Sequence, residues 1–548
     1  MTSGTLDFTP APAALALTPR RRTLVLAAVC LSLVLVVAGT TMLNVALPQI
    51  ARSLHATQSQ QQWVVDAFSV ALASLLLPAG VLGDRYGRRT TLVWGIVIFG
   101  VTAAASAVTT SATVLIALRA LSGAGAALIM PGTLSTITSV FPEEEKPRAV
   151  AVWSGLAGAG AVFGLVGSGA LLEQFWWGSI FVVTAALAAV ATVVTVAIVP
   201  ATSDPAAPRV HLPGSVLSVV GIGGMVLGIT EGPERGWLSP LTVGALVAGA
   251  VALVAFVVAS LRTDEPLLDP RLFRDRRFAA GSASVFLQFL AMLGFFFLFL
   301  QYLQLVRGYG TLQAALAVVP LAVGMMPAST AAARLTARYD NRYVGAAGLA
   351  ISAAGLAWLS QLSLTSGYWA VLAGMLVTGV GLGLGMTPAT NAIVQSLPLA
   401  KQGLASAVND TSREMGGAFG IAILGSAFTA GYRSKITPGL AKLPAAAAAA
   451  RRAPAAGLQV AARLGPDGQG LVHATKAAFM NGQRDALLIG TLSLLAGVAF
   501  VLLRGAPALP DAVPDGVEGA LPGVVGDVRL ALAPVAGPAA GAGAAPGR

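Results

Sequence analysis

The chain has 548 residues, 56% hydrophobic and only 10% charged, with a formal net charge of +11. Water-soluble domains carry about 25% charged residues, so most of this chain cannot face water. One cysteine (Cys30) and three histidines (His55, His211, His473) exclude an internal disulfide framework and supply no spaced metal ligands. None of the five lysines follows a glycine, which removes a phosphate-cradling Walker loop. No metal, cofactor or nucleic-acid partner is expected.

In chain order, fourteen apolar runs reach the roughly 20 residues that a membrane-crossing helix needs. They cover about 24–48, 63–82, 91–110, 112–133, 148–172, 178–199, 213–230, 239–261, 278–304, 311–333, 343–361, 366–391, 404–430 and 486–504. Each predicts a helix, because backbone groups in lipid must bond within their own segment. The first run follows Arg20, Arg21 and Arg22 but ends in no small-residue cleavage site, so it reads as a retained span. The fold class is thus an all-α polytopic membrane protein. Its divisions are a cytoplasmic segment 1–23, a six-helix bundle 24–199, and a linker plus two extra helices 200–277. A second six-helix bundle 278–504 follows, with a long external loop 433–484, then an Ala/Pro/Gly-rich tail 505–548 expected to be disordered.

Orientation follows from Arg and Lys. Up to Arg504, nineteen fall on one side, whereas the opposite short loops hold Arg52, Arg235 and Arg307. That bias predicts both termini in the cytoplasm of a bacterial cytoplasmic membrane. The loop 433–484 carries eight basic residues on the external side, but long loops weigh little in orientation.

The first span ends Gly39-Thr-Thr-Met-Leu-Asn44-Val-Ala-Leu-Pro48, and Asp66 lies near the outer end of the second. The second turns into the third through Gly80-Val-Leu-Gly-Asp84-Arg85-Tyr-Gly87-Arg88-Arg89, whose glycines suit a tight turn beside paired charges. In the fourth, Arg119 stands well inside an apolar run, where a guanidinium costs several kcal/mol unless it faces a cavity or partner. The fifth has Gly160, Gly164 and Ser168 at four-residue spacing, followed by Gly169, a pattern that lets helix backbones approach closely. In the thirteenth, Asp410, Arg413 and Glu414 share one face. Two readings stay open there: an ion pair that fixes packing or a gate, or a leftover carboxylate that exchanges a proton.

These runs resemble the major facilitator superfamily, in its fourteen-helix drug:proton antiporter branch. The turn Gly80–Arg89 matches that family's signature loop position for position, and the resemblance extends over about 24–505. It implies two six-helix halves around a midplane cavity, with Asp84, Arg85 and Arg89 in a cytoplasmic latch, together with Gly80, Gly87 and Arg88. It assigns proton-coupling or substrate-binding roles to Asn44, Asp66, Arg119, Asp410, Arg413 and Glu414. Gly160, Gly164, Ser168 and Gly169 fall in the antiport packing motif, where Leu165 replaces a proline and Ser168 a glycine. Gly39 stands where the family has an aspartate. Phe295, Phe297, Met325 and Met386 are candidates for the cavity lining. The implied function is proton-coupled export of small lipophilic, cationic drugs or antibiotics by a monomer, with the bilayer and a small-molecule substrate as partners and no catalytic residues. An importer or narrow metabolite exporter on the same fold is the nearest alternative; a membrane sensor or enzyme lacks any supporting motif.

Overall fold

Backbone amides in hydrocarbon find partners within their own segment, and the apolar runs achieve this as helices. The structure, a computed structural model, describes residues 17–201, 211–263, 266–398, 401–439, 450–451 and 453–504. Among the described residues, fourteen helical stretches are long and apolar enough to cross a membrane. In order they are α1 (Pro19–Ser53), α2 (Gln58–Tyr86), α3 (Arg88–Val108), α4 (Ala112–Val140), α5 (Lys146–Gln174), α6 (Ser179–Ile198), α7 (Leu212–Arg235) and α8 (Pro240–Arg262). A short 3-10 turn then leads to α9 (Arg276–Gln301), which ends in a π-turn at Tyr302–Val306. Next come α10 (Thr311–Ala317) and α11 (Val319–Thr336), which together make the tenth span, then α12 (Asn341–Ser360), α13 (Tyr368–Gln395) and α14 (Gln402–Gly439). A peripheral helix α15 (Pro454–Arg463) precedes α16 (Gln469–Arg504).

The tenth span breaks because Pro320 has no backbone N–H to continue a helix from α10. Several boundaries differ from the sequence reading, α4 for one running to Val140 rather than 133. α1 begins at Pro19 and takes Arg20–Arg22 into its first turn, so the segment 1–23 is not wholly separate from the span. α7 runs to Arg235, a turn beyond the predicted end at 230. The expected loop 433–484 is largely helical among the described residues, as α14 and α16 continue past their apolar runs and α15 lies between them. Packing explains that extension. A Cβ on Gly482 would lie 2.5 Å from the Phe428 carbonyl oxygen, Phe479 meets Phe428 edge-on at 4.8 Å, and Tyr432 Oη donates to the Ala450 carbonyl at 2.8 Å. The tail from 505, linker residues 202–210 and residues 1–16 lie outside the described residues.

α1–α6 pack on one another, as do α9, α11–α14 and α16. Two seams join these sets: α2 meets α14, and α5 meets α10 and α11. The extra helix α7 pairs with α8 and touches both α2 and α14.

Glycine sets how near the helices come. On α5, a Cβ at Gly164 would lie 2.1 Å from Thr41 Oγ1 and 2.7 Å from the Ala38 carbonyl oxygen of α1. The other face of α5 meets the opposite set: a Cβ at Gly155 would lie 2.6 Å from Ser329 Oγ, and one at Gly169 3.2 Å from Leu312 Cα. Gly164→Val is therefore expected to destabilise the protein by about 1–3 kcal/mol through overpacking against rigid backbone. Gly167→Ala, whose Cβ would meet only the flexible end of Met42 at 3.3 Å, should leave stability unchanged. Thermal unfolding in detergent distinguishes the two, and equal melting temperatures would contradict this account.

Candidate functional site

The site is a seam at two depths. At one end, here called the latch end, α2 runs into the turn before α3. Gly87 has φ +103°, a conformation that only glycine adopts without strain, and this reverses the chain between Tyr86 and Arg88. The reversal brings Arg88 back onto Asp84, with Nη2 and Nε donating to Oδ1 at 3.0 and 3.2 Å. Asp84 is 3% exposed and its remaining capacity crosses the seam. The Gly403 N–H donates to Oδ1 at 2.9 Å and the Leu404 N–H to Oδ2 at 3.2 Å. Those amides open α14 and lack carbonyl partners within it, so the carboxylate caps the positive end of a helix from the other set. Close backbone contact makes this possible, since a Cβ on Gly80 would lie 2.4 Å from the Gly403 carbonyl oxygen.

The sequence reading put Arg85, Arg88 and Arg89 in the latch with Asp84; of these the structure sets Arg88 on the carboxylate. Arg89 Nη2 instead donates to the Val196 carbonyl at 2.7 Å, tying α3 to α6, and the Arg85 guanidinium lies 5.9 Å from the Tyr86 ring. The reason is spacing. Asp84 and Arg88 are four apart, and the turn at Gly87 keeps them on one side, whereas Arg89 reaches the Val196 carbonyl of α6.

Deeper in the molecule, α14 carries the ionisable face that the sequence predicted. Arg413 Nη1 donates to Asp410 Oδ1 at 3.3 Å, and Asn409 Nδ2 donates to the same oxygen at 3.2 Å. Thr390 Oγ1 of α13 donates to Asn409 Oδ1 at 3.2 Å, which orients the amide. Asp410 is fully buried, and its Oδ2 has no hydrogen-bond partner among the described residues; neither does Arg413 Nε. The Arg413 guanidinium lies 4.6 Å from the Phe289 ring of α9 and 5.3 Å from the Trp153 ring of α5. Trp153 is itself fixed, its Nε1–H donating to Thr133 Oγ1 at 3.0 Å. Arg413 therefore holds one aromatic from each side of the seam, an arrangement worth up to about 2 kcal/mol per ring when desolvated. Glu414 is half-buried on the same face.

The other expected residues are spread out. Arg119 is 3% exposed, with its Cζ 4.3 Å over the Phe68 ring and Nε donating to the Val64 carbonyl at 3.2 Å. It thus faces α2, and a ring and a carbonyl satisfy it rather than a carboxylate. Asp66 is half-buried on α2. The side chain of Asn44 lies outside the described residues. A Cβ at Gly39 would lie 3.1 Å from Phe99 Cζ, so that position faces α3. Gly160 packs on Val37 of α1 as Gly164 does on Ala38, Gly169 faces α10, and Ser168 Oγ donates to the Leu165 carbonyl at 3.0 Å. Of the expected lining residues, Met325 is buried against Gly158 in the α5–α11 seam and Met386 is buried in α13. Phe295 stacks at 4.8 Å on Phe299, and Phe297 is exposed. Sequence reading put Arg88 in the latch beside Asp84 and missed Trp153 as the partner of Arg413, which nothing local marks.

The chain is similar to known proteins along most of its length. The Major Facilitator Superfamily model matches residues 29–421. The multidrug efflux pump LfrA of Mycolicibacterium smegmatis is 34% identical over 486 residues, covering 88% of this chain and 96% of that protein. The methyl viologen resistance protein SmvA of Salmonella typhimurium is 31% identical, covering 88% and 98%. Among solved structures, the human organic anion transporter TETRAN superposes with a TM-score of 0.58 at 13% identity, covering 88% of this chain and all of that one, which shows the shared fold.

Replacing Asp84 with Asn removes the charge at the start of α14 and weakens the seam. Ser406, fully buried one turn in, can be made Cys as a reporter, and the native Cys30 is buried. In the Asp84→Asn background its labelling by a water-soluble maleimide should speed about tenfold for each ~1.4 kcal/mol lost. An unchanged rate would show that the carboxylate does not hold the seam.

Proposed function

The chain belongs to the major facilitator superfamily, and from that membership we propose that it is a proton-coupled antiporter exporting small lipophilic, cationic drugs or antibiotics across a bacterial cytoplasmic membrane. The observation that carries the reading is the buried Asp410–Arg413 pair, beside Glu414, on the helix that also receives the Asp84 latch. The names of the relatives, multidrug and methyl viologen resistance proteins, support cationic cargo. The sequence bias in Arg and Lys supports a cytoplasmic latch end with both termini inside.

The mechanism follows from the charges. A buried carboxylate needs a counter-charge, which Arg413, a cationic cargo or a proton can supply. With Asp410 ionised, Arg413 stays near it and keeps its hold on Trp153 and Phe289. Cargo binding and protonation of Asp410 or Glu414 are alternative ways of neutralising the same oxygens, so they exclude each other, which is antiport. Neutralising Asp410 frees Arg413 from its anion and loosens the contact across the seam. The equilibrium between latched and unlatched states then shifts by the difference in binding free energy. Since one chain carries both sides of the seam, the working unit is a monomer.

Efflux of a lipophilic cationic dye from an exporter-deficient bacterium expressing this chain tests the reading. Efflux should collapse with a protonophore, and Asp410→Asn or Glu414→Gln should reduce it by tenfold or more, the ~1.4 kcal/mol effect of losing one charge contact. Efflux that persists in both variants, or that ignores the protonophore, would refute it.

A further inference from the structure

The turn from α11 into α12 gathers charge that the transport reading does not use. Between Arg307 and Lys401 the charged residues are Arg334, Arg338, Asp340 and Arg342, all within nine positions. Eight crossings separate this turn from the one between α2 and α3, so both lie at the latch end. The backbone here is compact. The N–H groups of Arg338 and Tyr339 both donate to the Leu335 carbonyl, at 3.0 and 2.8 Å, and the Tyr343 N–H donates to the Asp340 carbonyl at 3.0 Å. Asp340 Oδ1 caps α12, accepting from the Arg342 N–H at 2.8 Å. Arg342 lies against its neighbour, with Cζ 4.6 Å from the Tyr343 ring and Nη2 donating to Tyr343 Oη at 2.6 Å. Arg334 and Arg338 are exposed, and among the described residues no carboxylate forms an ion pair with either.

The turn between α2 and α3 has a similar order of side chains. Arg85-Tyr86 precede Arg88-Arg89 there, and Arg338-Tyr339 precede Asn341-Arg342 here. Asp84 stands just ahead of the first set, but Ala337 stands ahead of the second. The second turn thus repeats the guanidiniums without the carboxylate that occupies the first, and an anion from outside the chain can take its place.

The apolar surface decides which anion fits. Leu335, Tyr339 and Tyr343 are 36%, 60% and 54% exposed. At the end of a membrane-crossing helix such side chains belong at the boundary of hydrocarbon and headgroups, which suits an apolar ring with a polar hydroxyl. From that depth a guanidinium covers apolar surface with its stem and reaches phosphate with its planar fork. A dissolved anion would satisfy the arginines but leave the rings in water. Orientation in the membrane would be served by the arginines alone.

We propose that the α11–α12 turn binds an anionic phospholipid, with Arg334 and Arg338 on the headgroup phosphate and Leu335, Tyr339 and Tyr343 against the glycerol and upper acyl chains. On its seam face α11 carries Met325 against Gly158 and Ser329 against Gly155 of α5. A lipid held at this end of α11 would therefore bear on that seam; this consequence rests on the transport reading above, whereas the binding does not.

The test is thermal unfolding of the purified full chain in detergent, titrated with phosphatidylglycerol, phosphatidylcholine or glycerol phosphate. A ligand that binds only the folded chain raises its melting temperature as its concentration passes the Kd. Phosphatidylglycerol should stabilise the wild type, and the other two should not. Arg334→Gln with Arg338→Gln should melt at the wild-type temperature without lipid and need about tenfold more phosphatidylglycerol for the same rise. Tyr339→Ser, which keeps every charge, should weaken the response too. Arg20→Gln with Arg21→Gln, at an exposed basic site on α1, should respond as the wild type does. An unchanged response in the Arg334 and Arg338 double variant would overturn the proposal. So would an equal loss in the Arg20 and Arg21 variant, the mark of diffuse surface charge, or stabilisation by glycerol phosphate alone, the mark of a soluble-anion site. Failure of the export reading would appear in the dye assay and leave the lipid response in place.

Discussion

The contact on which the structure turns is a carboxylate at a helix N-terminus. Asp84 holds two amides of α14 that have no partner in their own helix, and it is itself held by Arg88. A hydrogen bond to a charged group contributes about 1.5–3 kcal/mol, enough to favour one arrangement of two bundles without locking it. The contact works only because no side chain intervenes at Gly80 or Gly403. Substituting a bulkier residue at either would separate the partners before any charge was altered. These directional bonds supplement an apolar contact across the seam, where Leu77 and Val81 of α2 and Val162 and Leu165 of α5 belong to the same buried cluster as side chains of the other set.

The same helix carries the second point of control. Arg413 lies between Asp410 on its own helix, Phe289 on α9 and Trp153 across the seam. One cation thereby joins a buried carboxylate of one half to an aromatic ring of the other. The contact needs no long pathway, because the Arg413 guanidinium touches both the Asp410 carboxylate and the Trp153 ring. Arg119 shows the contrasting case. A ring and a carbonyl satisfy it on α2, where it fixes packing within one half.

Much of this was legible in the sequence. Long apolar runs fixed the number of spans, since length and polarity alone decide whether a segment can cross lipid. The four-residue rhythm of Asp410, Arg413 and Glu414 put them on one face before any coordinates were known. What escaped the sequence falls into two kinds. Some features depend on partners distant in the chain: Trp153 meets Arg413 across some 260 residues, and no local pattern records that. Others lie at boundaries. Glu231 follows directly on an apolar run predicted to end at 230, and only the helix continuing to Arg235 places it inside. The helical stretches around 433–484 escaped for a related reason, because they are held by Phe428, Tyr432 and Phe479 rather than by their own hydropathy.

α14 has a mechanical consequence of its own. It is one unbroken helix of 38 residues, about 57 Å long at 1.5 Å per residue, nearly twice the roughly 30 Å of a bilayer's hydrocarbon. A rod of that length would act as a lever if it turned about its held end near Gly403. A tilt of about ten degrees at the latch, too small to disturb its internal hydrogen bonds, sweeps the opposite tip through roughly 10 Å. With such a lever, a sub-ångström change in the grip of Asp84 would be magnified into a displacement of molecular size at the other end of the helix.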